Sequence, residues 1–244
     1  MPKPTCLQLK VQLAEIQSLF REFDLVLVKI RETKKTEHLL EMQKEIEGKI
    51  ESLQREFVPQ EIREKIQDWQ DFYREVFQME TDLSKIKIPE KQEGFERLLI
   101  MQKGMTAQRL FDKCTELFAA ENHMGENWDK DLTSDRNALD HAYAIWVRDN
   151  VEVDYGLNHL AADNMAEKGI TVETLEERLL EEIKYFKQTE QHLDITSKTM
   201  CAGSRSSSGD VPHVHWSSGG DRLIMGKWTA VFRSEGLRAR QVIV

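Results

Sequence analysis

Cysteine is scarce in this chain. Its 244 residues include three, Cys6, Cys114 and Cys201, an odd number set far apart with no C-x-x-C pair, so no complete disulfide framework can form and a reducing compartment is expected. Proline is rare as well, with five residues, and glycine is almost missing from the first hundred positions, where only Gly48 and Gly94 occur. Long apolar runs are lacking. The most apolar stretch near the N-terminus, Leu25 to Ile30, is bounded by Asp24 and Arg31, which excludes a spanning helix or signal-peptide core there and predicts a soluble, cytoplasmic protein with no membrane partner. Basic charge is in deficit: 34 Lys+Arg stand against 43 Asp+Glu, a net charge of −9, with a pI near 5.4. That disfavours nucleic acid as a partner for the chain as a whole. Neither a P-loop frame nor G-x-S-x-G occurs, and the N-terminal glutamates include no E-x-x-H pair, so no catalytic residue is assigned. A chain this long buries roughly 70% of its unfolded surface and needs no metal or cofactor to hold it together.

What is present is unevenly distributed. Residues 1–100 carry 17 basic and 20 acidic side chains, residues 101–200 carry 11 and 20, and residues 201–244 carry 6 and 3. Half of the twelve glycines (Gly203, Gly209, Gly219, Gly220, Gly226 and Gly236) crowd the last 44 residues. A helical N-terminal part and a turn-rich β tail are expected from that division. Leu9, Leu13, Ile16, Phe20, Phe23, Leu27 and Ile30 repeat at alternating steps of 4 and 3, the rhythm of a helix packed along a partner helix. Leu39, Met42, Ile46, Ile50, Leu53 and Phe57 continue it, and charge runs such as EMQKEIEGKIESLQRE suit solvated helix faces. Pro59 suits the first turn of a third helix with a face of Ile62, Ile66, Trp69, Tyr73 and Val76, reaching toward Leu83. Thr106 is a candidate N-cap for a helix through Leu110, Phe111, Cys114, Leu117 and Phe118. Residues 121–140 read as an exposed polar loop. Thr174 with Glu177 makes a capping-box signature ahead of Leu175, Leu179, Ile183 and Phe186, in a helix ending near His192. From Val211 the period changes: VPHVHW and RLIMGKW read as two strands joined by SSGGD, with LRARQVIV as a third.

The expected fold is therefore α+β, in three parts. Residues 1–89 form antiparallel coiled-coil-like helices, 90–194 a helical middle region with an acidic loop, and 195–244 a small three-stranded antiparallel β module packed on the preceding helix. The heptad helices point to a protein partner or to self-association, and an interaction or scaffold protein is the leading functional expectation.

Over a little more than half of the chain, the stretches AYAIWVRDNVEVD, NHLAADNMAEKGITVETLEERLLEEIKYFKQTEQHLDI, MCAGSRSSSGDVPHVHW and LRARQVIV, with the helix TAQRLFDKCTELF, resemble a group of hypothetical proteins of candidate-phylum bacteria. The resemblance implies a cytoplasmic bacterial protein with a helix followed by a β tail. It implies no activity and transfers no functional residue.

Four residue sets carry candidate chemistry. Asp129, Asp131, Thr133, Asp135, Asn137 and Asp140 occupy the ligand positions of an EF-hand-like frame, but Ser134 replaces its glycine and Asp140 its glutamate, so a solvated loop is the simpler reading. His213 and His215 alternate on one strand face and, with Cys201 and His192 upstream, supply zinc-type ligands that lack any tight spacing pair; a metal-dependent enzyme is the corresponding alternative. AGSRSSSGD offers amides and hydroxyls to an anion. Trp216 and Trp228, with Arg222, Arg238 and Arg240 nearby and Lys227 and Arg233 beside them, suggest a stacking and cationic surface for a nucleotide or single-stranded nucleic acid. Against this, both tryptophans suit the anchors of a small core.

Overall fold

A computed structural model describes residues 17–26, 28, 41–42, 44–49, 58–125, 128–157 and 160–244. The chain divides into two compact units, Met1–Asp68 and Trp69–Val244.

In the first unit, residues 17–26 and 44–49 are helical. Val26 and Ile46 are buried against one another, with Leu19, Phe23 and Met42 packed around them. The buried stripe is thus Leu19, Phe23 and Val26, while Phe20, expected on the inner face, is 47% exposed. Both sets obey helical 3/4 spacing, so spacing alone does not choose between two stripes rotated by about one residue. Leu9, Leu13, Ile16, Leu27, Ile30, Leu39, Ile50, Leu53 and Phe57 lie outside the described residues, as does Cys6.

The second unit begins within helix α1 (Gln60–Phe77), which buries Trp69, Phe72, Tyr73, Val76 and Phe77. Gln78 takes a left-handed conformation, φ 54°, and the helix ends there, so Leu83 is buried beyond it rather than on its face. Strand β1 (Arg97–Met101) leads to α2 (Ala107–Leu117), where the Thr106 hydroxyl accepts from the Arg109 amide as the N-cap. Next come β2 (Ala120–Asn122), the short α3 (Trp128–Asp131), β3 (Leu132–Ser134) and β4 (Tyr143–Val147). Helix α4 (Ala162–Glu167) precedes α5 (Leu175–Thr189). At the start of α5, Thr174 and Glu177 exchange both bonds of the capping box. The chain closes with β5 (Lys198–Met200), β6 (Ser204–Ser206), β7 (Val211–Ser217), β8 (Arg222–Trp228), β9 (Leu237–Arg238) and β10 (Val242–Ile243).

These strands overturn the expected three-stranded module. They form three sheets among the described residues: β1-β4-β10, the mixed five-stranded β2-β8-β7-β5-β9, and the pair β3-β6. The β7–β8 hairpin is where the sequence places it. Its outer edges, however, are taken by β2, parallel to β8, and by β5, which pairs parallel with β9. LRARQVIV is not one strand. Its first residues join the five-stranded sheet as β9, Arg240 turns inward, and β10 crosses to β4. A lone short meander buries little apolar surface, so the tail spreads over two sheets. The middle region is likewise not all helical, because FERLLIMQK and AYAIWVRD supply the antiparallel pair β1–β4. Both are buried along nearly their whole length, which removes the period-2 signal of a half-buried strand. The polar stretch 121–140, expected as an open loop, instead contains part of β2, α3 and β3. Among the described residues no helix is long and apolar enough to cross a membrane.

Helix α5 sits between α2, β1 and β7. Every residue from Leu175 to Lys184 is buried, so its charged side chains must find partners inside the protein.

Candidate functional sites

Those partners form an ion network. Asp194 receives Arg178 Nε at 2.9 Å and Arg240 at 2.6 Å, together with the Thr199 hydroxyl at 2.5 Å. Arg178 also pairs with Glu182 at 2.8 Å, and Glu182 reaches His192 Nδ1 at 2.8 Å. Arg97 pairs with Glu181 at 2.5 Å, while Arg136 grips Glu177 with two bonds of 2.8 Å. Burial pushes the Asp194 carboxyl up, but the guanidiniums of Arg240 and Arg178 outweigh it and hold the group below its usual range. Glu173 is the exception. Neither of its carboxylate oxygens has a hydrogen-bond partner, and burial, reinforced by Glu181, lifts it well above the usual range despite Arg240 and Arg178. Nothing in the sequence marks this network, because its members meet from distant positions.

The residues singled out in the sequence separate on two faces of the five-stranded sheet. Trp216 is paired with Leu223 and Val211 with Trp228, and alternation along β7 therefore puts the two tryptophans on opposite faces. Trp216 stacks on His192 at 3.3 Å between ring centroids, beside Phe118. Trp228 instead meets the His213 ring edge at 3.7 Å. Arg240 is buried in the ion network, Arg222 pairs with Glu121 at 3.1 Å, and Arg238 lies over Tyr155. These five residues do not share one surface. Cys201 and Cys114 are buried, and burial pushes both thiols well up. The Cys201 amide donates to Pro212 O at 2.9 Å and Met200 is opposite His213, so by alternation Cys201 lies on the sheet face away from His213 and His215. Cysteine and histidines are thus not brought together, and among the described residues no group of three or more His, Cys, Asp or Glu side chains is placed to hold a metal.

The EF-hand-like frame is dispersed too: Asp129 caps the Gln108 amide, Asp131 accepts from Ser207, and Thr133 lies in β3. The AGSRSSSGD loop uses its own groups internally, with Ser206 N–H on Asp210 O and Ser208 Oγ on the Asp210 carboxylate. An anion finds a carboxylate there, not a nest.

Two features remain open. On the sheet face away from α5, His213 and His215 each have a buried Nδ1 with no hydrogen-bond partner. Burial, helped by neighbouring positive groups including Lys198, lowers them to about 3 and about 4, so both rings are neutral at physiological pH. The second feature is an edge. In the sheet β1-β4-β10, Trp69 Nε1 donates to Leu98 O at 3.0 Å and Tyr73 Oη to Ile100 O at 2.7 Å, so these carbonyls point away from β4. Backbone groups alternate sides along a strand. Arg97, Leu99 and Met101 must then bond across to Val147, Ile145 and Tyr143, leaving the amides and carbonyls of Ala144 and Trp146 to face β10. Trp146 pairs with Ile243. Ala144 is the next such position along β4. Beside it lies a cavity of about 930 Å³, lined by Lys85–Pro89, Ala142–Ile145, Asp140, His141 and Val244 among others.

No family model, no curated protein and no solved structure matches the chain.

Proposed function

We propose that the protein acts by binding, as an interaction module that accepts an extended peptide strand of a partner protein in the cavity alongside β4. The observation that carries this reading is the cavity of about 930 Å³ along Ala142–Ile145 of β4, large enough to take the side chains of an extended segment. An exposed strand edge recognises any extended backbone through its amides and carbonyls, and flanking pockets add selectivity at alternate side chains. The residue that pairs with Ala144 lies on the same sheet face as Ala144 and Trp146. That face is bordered by Pro89, whose carbonyl accepts from Trp146 Nε1 at 2.9 Å. With Ile86 and Ile88 also lining the cavity, the reading favours an apolar residue at that position of the partner.

The test is a selection from a displayed library of random peptides, followed by single backbone N-methylation along the best binder. Strand addition gives loss of binding at every second position, because only alternate amides face β4. Uniform tolerance to methylation, or binders that compete only when helical, would overturn it.

A further inference from the structure

We propose that the outer face of the five-stranded sheet binds one transition-metal ion of the zinc, cobalt or nickel class through His213 and His215 of β7, with His123 closing on it from the end of β2. Side chains two apart on a strand share a face, and the two ring centroids stand 5.7 Å apart. Two imidazoles bound to one tetrahedral ion at ~2.1 Å set their ring centres about 5 Å apart. A small rotation of the half-buried His215 ring closes that difference.

Both Nδ1 atoms are buried and without a hydrogen-bond partner, and His213 as a residue is only 6% exposed. Buried polar atoms are nearly always paired, and a bare imidazole nitrogen beside a second one is the donor set of a borderline metal. The surroundings favour the same occupant. His213 sits opposite Gly226, where any Cβ would collide with its ring, so the glycine makes the space in which the imidazole lies. On the far side of Gly226, the His123 amide donates to Met225 O at 2.8 Å and continues the parallel β2–β8 ladder by one residue. His123, Gly226 and His213 therefore form one row across three strands, with no side chain between the two histidines. Glu121 Oε1 lies 3.2 Å from His123 Nε2, the carboxylate-to-histidine contact that orients a metal-binding imidazole and leaves its other nitrogen free. His123 as placed does not complete a three-ligand group, and its side chain, 55% exposed, reaches inward by moving together with the Glu121 carboxylate. Lys198 lies close to the same face, with its ammonium over the Trp228 ring at 5.3 Å, and it opposes the ion. That repulsion sets the affinity below that of a closed structural zinc site.

Untagged full-length protein, stripped with chelator, is titrated with Co²⁺ and followed by visible absorption and calorimetry. The expected result is one ion per chain, with the intense visible bands of a four- or five-coordinate site and no thiolate charge-transfer band. His215→Gln should weaken binding by more than the roughly 10- to 100-fold that loss of an outer-shell partner costs, and Glu121→Gln should fall within that range. His213→Asn tests the buried ligand, with circular dichroism reporting whether the chain still folds. If it does not, folded His215→Gln alone decides. Absence of uptake, uptake unchanged in folded His215→Gln, or a thiolate band placing the ion on Cys201 would each overturn the proposal.

Discussion

The two long edges of the β1-β4-β10 sheet meet the same physical problem and resolve it differently. On the β1 side, indole and phenol groups from α1 satisfy the outward carbonyls of Leu98 and Ile100, and the Tyr73 oxygen also accepts from the Gln102 amide at 3.0 Å. On the β4 side, β10 pairs with Val147 and Trp146, and the cavity lies alongside Ala144 and Ile145. One edge is closed by side chains that cannot be displaced without opening the core. The other is paired with a two-residue strand. A free strand edge is a liability that folds usually cover or charge, and the two sides of this sheet are covered by different means. The five-stranded sheet shows a contrast on its faces: toward α5 nearly every charge is paired, and on the opposite face the Nδ1 atoms of two imidazoles have no hydrogen-bond partner.

The strongest way to break the contrast is to release β10. Arg240 precedes it by two residues and is anchored to Asp194, Asn150 O and Val151 O. Arg240→Met removes one partner from a buried ionic group and is expected to cost about 3–5 kcal/mol in urea unfolding. Asp194, held below its usual range, contributes stability above pH ~4 that is lost as pH falls through its folded pKa. Without Arg240 that pKa rises, so acid unfolding should begin at a higher pH than in the parent protein.

Opening the other edge is expected to cost less. Tyr73→Phe leaves Ile100 O and Gln102 N without their partner, a loss of about 1–3 kcal/mol, and should speed amide exchange in β1 without creating a peptide site, because α1 still covers that edge.

Glu173 tests the paired face from within. A carboxyl raised in the folded state is protonated there, while the unfolded chain ionises above pH ~4.3, so stability falls as pH rises between the two values by up to ~1.4 kcal/mol per unit. Glu173→Gln removes that slope. Its stability relative to the parent protein should be similar near pH ~4 and should grow in its favour as pH rises above that, as read by thermal unfolding across a pH series.

How much of this was legible in the sequence depended on the range of the interaction. Thr106, the Thr174–Glu177 box and the SSGGD hairpin are local features, and each was visible because a cap or a tight turn is decided by residues three or four apart. The sheets were not. Strands β5, β9 and β10 are two or three residues long, β1 and β4 are buried without alternation, and their pairing is set by tertiary partners. The His213 and His215 pair was legible as a pair, but not its neighbours: His123 shares their face only because β2 runs parallel to β8, and Cys201 falls opposite Pro212 on the other face. Ala144 carries no sequence signal, since the cavity beside it is assembled from segments distant in the chain.

Ala144→Pro is the smallest change and the most direct test. Its amide faces away from β1, so proline removes the donor on the far side while sparing the β1 ladder. Ala144 is buried in the central strand of its sheet, so circular dichroism first establishes that the variant folds. The measurement is the affinity of a library-selected peptide for the parent protein and for folded Ala144→Pro, by calorimetry. Loss of at least tenfold in affinity with the fold intact is the expected result. Equal affinity for both proteins would contradict strand addition at β4.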